Sequence, residues 1–139
     1  MEKECVFCQI VSGQIPSHKV YEDDSFLAFL DIDPISLGHT LIIPKTHSTT
    51  LLEANQKVRA GMIEMVARLA PGILKAVGAP AFNVGINTGK EAGQIIFHTH
   101  VHVIPRFPQD GLRSWGRAAN LSPNLPDIAQ KIRRALESK

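Results

Sequence analysis

Three of the six histidines in this 139-residue chain stand two apart, in His98-Thr99-His100-Val101-His102. On a strand, residues two apart share a face, so the run sets three imidazoles in a row opposite a mostly apolar face. A stretch built for packing alone has no use for three such side chains. Three chemistries compete for them: a solvated strand face, a metal site, since His pairs two apart can bind zinc or iron, and covalent catalysis by one imidazole with its neighbours orienting it and stabilising charge. A histidine nucleophile must be neutral at the attacking nitrogen and hold its proton on the other. The carbonyl of His98, two residues back, can accept the Nδ1 proton of His100 and so aim Nε2 outward. The flanking imidazoles, protonated in part, can neutralise oxygens of a phosphoryl group. Both cysteines sit in a second pattern, Cys5-x-x-Cys8, which reads as a metal pair or as reduced core cysteines. A thioredoxin-like role is disfavoured, because Gly13 and Pro16 interrupt any helix that begins at the pair.

The elements that must position these groups follow from periodicity. Lys19–Glu22 and Phe26–Ile32 read as strands around the turn Asp23-Asp24-Ser25. His39–Pro44 is a third strand, with a continuous apolar stretch suited to burial on both faces. Val58, Met62, Met65, Val66, Leu69, Ile73 and Val77 recur at steps of three and four, the stripe of a helix. The stripe keeps its phase across Pro71-Gly72, which predicts one kinked helix rather than two. Phe82–Asn87 and Phe97–Ile104 complete five strands, with a loop carrying Gly89 and Gly93 between them. Pro126 opens a short C-terminal helix whose Ile128, Ile132 and Leu136 form an apolar face expected to pack on the body. The fold class is α+β, an antiparallel sheet of about five strands with helices on one face, as one domain over residues 1–139.

Composition excludes several classes. Hydrophobic residues make up 44%, charged residues 20%, and the formal net charge is +2, so no concentrated basic face calls for nucleic acid. The longest apolar runs, such as Leu41-Ile42-Ile43, cannot cross a bilayer. The start, Met-Glu-Lys-Glu-Cys, lacks a secretory pattern, and a cytoplasmic location is expected.

Four segments together resemble the histidine triad family: Phe29–Ile32, Gly38–His47, Phe82–Asn87, and Gly93–Arg106, which contains the His-x-His-x-His run and the apolar residues after it. The resemblance runs from about Cys5 to Gly111. It implies nucleotide-binding homodimers whose sheets join into one, and a hydrolase or nucleotidyl transferase acting at the α-phosphorus of purine nucleoside phosphoramidates or dinucleoside polyphosphates. By position, His100 would be the nucleophile, with His98 and His102 beside it as catalytic groups. His102 and Asn87 would touch the phosphate, the backbone of Gly93 would lie close to it, and Gln94 would be a further substrate-binding residue. Asp31 would accept bonds from the ribose hydroxyls, and Ile32 would wall the base. Many members carry Ser or Thr after the Gly-Gln pair, whereas this chain has Ile95, with no donor.

The branch with an N-terminal Cys-x-x-Cys often holds zinc with two histidines, and the matching ligands would be Cys5, Cys8, His47 and His98. Such a closed Cys₂His₂ set is structural, and it leaves His100 free. His39, at the start of a strand, reads as a structural histidine. The other reading of the whole chain is a dimer that binds purine nucleotides and acts by contact, with incidental turnover.

Overall fold

The computed structural model describes residues 4–113 and 117–137. Its five strands form one antiparallel sheet in the order β1 (Lys19–Glu22), β2 (Phe26–Leu30), β3 (Thr40–Pro44), β5 (Val101–Arg106), β4 (Ala81–Gly85). Asp23 makes the first turn: its Oδ1 accepts from the backbone of Ser25 and Phe26, both at 2.8 Å. The resulting hairpin places Phe26 and Ala28 on one face and Leu27 and Phe29 on the other.

That alternation divides the core in two. Phe26, Ala28, Ile42, Val101 and Val103 meet Met62, Met65 and Val66 of the long helix α2 (Gln56–Val77). On the opposite face, Leu27, Phe29, Leu41 and Ile43 meet Phe7 and Ile10 of the short helix α1 (Val6–Val11). Helices therefore cover both faces of the sheet, not one as the sequence suggested. The reason is β3, buried along its whole length, which needs an apolar partner on each side. Asn55 caps α2 by accepting from Val58, at 2.8 Å, and the helix runs unbroken through Pro71 to Gly78, its left-handed C-cap.

The C-terminal helix α3 (Leu125–Glu137) forms as expected but does not pack as expected. None of its residues is buried, and Leu125, Ile128, Ile132 and Leu136 all face outward. Helical periodicity determines the apolar face but not its partner.

Candidate active site

Only His102 of the triad lies within β5; His98 and His100 precede it. The single row of imidazoles expected from an unbroken strand from Phe97 does not form. Residues 98 and 99 are captured by the segment after β3. The Thr99 amide donates to the Ser48 carbonyl at 2.8 Å, and its hydroxyl reaches Ser48 Oγ at 2.7 Å. The triad therefore divides, and each ring takes its own role.

His98 is fully buried. Its Nε2–H donates to the Pro44 carbonyl at 2.7 Å, leaving the lone pair of Nδ1 for other work. That Nδ1 lies 3.4 Å from Cys5 Sγ, 3.6 Å from Cys8 Sγ and 3.2 Å from His47 Nδ1, and Cys8 Sγ lies 3.4 Å from His47 Nδ1. A tetrahedron with ordinary zinc–sulfur and zinc–nitrogen bonds has edges of roughly 3.3–3.8 Å, so these separations lie close to coordination spacing. The Pro44 carbonyl supplies the outer hydrogen bond that a metal-bound imidazole requires. Cys5 also caps α1, its Sγ accepting from the Cys8 amide at 3.4 Å. These four residues can hold a metal ion.

His100 has the geometry expected of it. Its Nδ1–H donates to the His98 carbonyl at 2.7 Å, so Nε2 keeps its lone pair. The residue is 7% exposed, and burial pushes its pKa below the usual histidine value, which keeps the ring neutral. Phe7 abuts it edge-on, with centroids 5.1 Å apart. This contact was not foreseen, since nothing local to Phe7 marks it as more than an apolar helix residue.

His102 stands beside His100, and its protonation is set by a residue read from the sequence as merely structural. The backbone N–H of Ile35 can only donate, and it meets His39 Nδ1 at 3.0 Å. His39 therefore carries its proton on Nε2 and donates to His102 Nδ1 at 2.9 Å, leaving the His102 proton on Nε2. Asp31 Oδ2 lies 3.6 Å from the same His39 nitrogen. Asp31, His39 and His102 also have the composition of a metal site. The hydrogen bonds argue against that use, because a metal-bound His39 would need to donate from Nδ1, where it accepts. Burial and the neighbouring His100 and His39 push the pKa of His102 down to about 4. The flanking imidazole thus offers a neutral N–H, not the partial positive charge inferred from sequence.

A stability prediction follows from these neutral rings. His39 and His102 have folded-state pKa values below the ordinary one, with burial as the main cause. Unfolded histidines protonate below about 6.5 while the folded ones resist, so stability declines as pH falls from about 6.5 toward 4. The expected decline from His102 is about 1–3 kcal/mol, allowing for its partial exposure. Urea titrations at pH 7 and pH 4.5 on wild type and His102→Gln measure it; equal pH dependence in the two proteins would contradict it.

The rings border a cavity of about 450 Å³ lined by α1 residues Val6, Phe7 and Ile10, by Phe29, Asp31, Ile32 and Asn87, and by Gly93, His100 and His102. Asp31 sits at the end of β2, where its Oδ1 accepts from the Asp33 amide at 2.8 Å. Ile32 is 89% exposed, an apolar side chain presented to the opening. Gly93 adopts a left-handed φ of 93°, where a side chain would be strained. Gln94 differs from its expected place. It is buried, and its amide ties the loop together, accepting from Gly89 N at 2.9 Å and donating to the carbonyls of Thr49 and Ile96 at 2.8 and 3.1 Å. Gln94 therefore shapes the loop that carries Gly93 rather than lining the cavity.

The HIT domain family model matches residues 12–109. Adenylylsulfatase HINT3 of Arabidopsis thaliana is 48% identical over 112 residues, which are 81% of this chain and 57% of that relative, so the chain spans little more than half of it. A HIT family protein from Bacillus anthracis superposes with a TM-score of 0.84 at 37% identity, over 97% of this chain and 99% of that one. A zinc-bound histidine triad family protein from Mycobacterium smegmatis gives a TM-score of 0.76 at 40% identity, over 96% and 94%. The split triad, the cavity beside it and these matches lead to one assignment: the chain belongs to the HIT family.

Proposed function

We propose that this protein is a nucleotide hydrolase or nucleotidyl transferase that works through a nucleotidyl-His100 intermediate on purine nucleotides. The observation that carries the reading is the 2.7 Å bond from His100 Nδ1 to the His98 carbonyl, which fixes Nε2 as the free nitrogen beside the cavity. His100 Nε2 attacks the α-phosphorus, a nitrogen–phosphorus bond forms, and the bond to the leaving group breaks with its electron pair. The Nδ1 proton stays on the ring, and the His98 carbonyl stabilises the resulting cation. Water then attacks phosphorus, returns the electron pair to Nε2 and releases its proton to solvent. His102 Nε2–H and the Asn87 side chain hold the phosphate oxygens, while the Gly93 backbone approaches them. Asp31 accepts from the ribose hydroxyls, and Ile32, Phe29 and Ile10 enclose the base. His98 serves the reaction through its carbonyl, because its ring faces the cysteines. The relative named as an adenylylsulfatase supports chemistry at an adenylyl phosphorus. Acid-quenched protein incubated with diadenosine polyphosphate or adenosine phosphoramidate should carry an adenylyl mass adduct on the His100 peptide; turnover with no adduct at any time would refute the covalent route.

Zinc is the metal we assign to Cys5, Cys8, His47 and His98, supported by two thiolate donors, tetrahedral spacing and the zinc-bound relative. The ion would tie the N-terminus to the segment bearing His100 and take no part in the reaction.

The working form we propose is a homodimer. Among the described residues strand β4 pairs with β5 alone, at the edge of the sheet, and pairing a second copy there would make one continuous sheet. Sedimentation equilibrium should give twice 15.2 kDa at micromolar concentration, and a stable monomer would overturn the assignment.

A further inference from the structure

A serine on the wall of the large cavity has no part in the chemistry above. Ser17 lies in the segment that joins α1 to β1 and is half-buried. Its Oγ is buried and, among the described residues, has no hydrogen-bond partner. A buried hydroxyl without a partner costs stability, and native interiors keep few of them.

The fold holds the backbone of this residue from both sides. Before it, the amides of Gln14 and Ile15 donate to the Gln9 carbonyl of α1, at 2.9 and 3.2 Å. After it, the Leu30 amide donates to the His18 carbonyl at 3.0 Å, and the ladder pairs Lys19 with Phe29. Continued past His18 and Leu30, that register sets Ser17 opposite Asp31. Residues opposite one another on antiparallel chains share a face, with Cβ atoms about 5 Å apart. The face is the one that carries Phe29, and Ser17, Phe29 and Asp31 all line the cavity. The hydroxyl turns on a single torsion with three staggered wells, and no bond holds it in the one it occupies. It can therefore swing from the interior toward the cavity without giving up a hydrogen bond.

We infer that Ser17 is a specificity-determining residue for the base, its hydroxyl donating to N3 of a bound purine. The inference rests on the proposed nucleotide binding and gives the base a polar contact that this reading leaves it without. In that mode Asp31 holds the ribose hydroxyls. N3 lies on the purine edge next to the ribose 2′ position, so a group opposite Asp31 meets that edge rather than the distant one that bears N7. N3 has a lone pair and no proton, so it accepts, and a serine hydroxyl donates. Ile10, Phe29 and Ile32, which would enclose the base, offer no such bond. On binding, the hydroxyl gains the partner that the free protein lacks, and a base without an acceptor at that position leaves it unpaired.

Calorimetry with three monophosphates tests the assignment: AMP, 3-deaza-AMP, which has carbon in place of N3, and 7-deaza-AMP, which keeps N3 and alters the opposite edge. Wild type should bind 3-deaza-AMP about fivefold more weakly than AMP, the worth of one neutral hydrogen bond. Ser17→Ala should weaken AMP and 7-deaza-AMP by the same factor and leave 3-deaza-AMP unchanged, a coupling that a loss of packing does not imitate. The Tm of the nucleotide-free variant should hold or rise, because an unpaired buried hydroxyl has been removed. Equal losses for all three nucleotides in Ser17→Ala, or no loss for any, overturn this assignment alone. So does a clear fall in Tm, which would reveal a bond that the hydroxyl makes within the protein. No binding of any of the three to wild type overturns it along with the reading beneath it.

Discussion

Replacing His100 with asparagine should lower nucleotidyl turnover by at least ~10⁴-fold, while the affinity for a nucleoside monophosphate changes little. The asymmetry follows from what the residue does. In the proposed binding mode Phe29, Ile32 and Asp31 would hold the base and ribose, and the substitution leaves these cavity residues in place. The lost interaction, a nitrogen–phosphorus bond, forms only on the way through the reaction. The neighbouring rings cannot substitute. His98 points at Cys5 and Cys8, and the lone pair of His102 Nδ1 already accepts from His39. Single-turnover kinetics and monophosphate calorimetry on the same preparation measure both halves. Turnover within tenfold of wild type would remove His100 from the mechanism, and nucleotide binding without turnover in the wild type would favour the contact-acting dimer.

The second large effect is expected from the metal site. Cys5→Ser/Cys8→Ser should lose the zinc, about one ion per chain, and lower Tm by roughly 10 °C or more. Cys5 and His98 are separated by 93 residues, so a bound ion would close a long loop, and its removal would free the N-terminus first. Turnover of the molecules that stay folded should suffer less than stability does, because the His98 carbonyl is held by its own segment. Nucleotide affinity should also fall, for a reason found only in the structure: α1 carries Val6, Phe7 and Ile10 to the cavity wall, and Phe7 rests against His100. Metal analysis, thermal melts and nucleotide calorimetry on the two proteins decide the matter. Zinc retained by the double variant, or a carefully prepared wild type without zinc, would return the cysteines to the core.

Much of the site is local and could be read without coordinates. The bond from His100 to the His98 carbonyl spans two residues, so extended backbone suffices to form it. The five strands, the long helix through Pro71 and the Asp23 turn follow from periodicity and turn chemistry in the same way. Boundaries and directions do not. Whether residue 98 continues β5 depends on the 44–48 segment, which captures it through Pro44 and Ser48. The sequence shows three imidazoles; tertiary packing turns one to the thiols, frees one and binds one to His39. His39 looked structural because its partners, Ile35 and His102, come from a turn and from a strand 63 residues away. The placement of α1 opposite α2 is decided likewise by contacts between distant segments. Side-chain type and spacing determine which reactions a chain can perform. Which nitrogen faces which cavity depends on donors and acceptors that only the folded chain brings together.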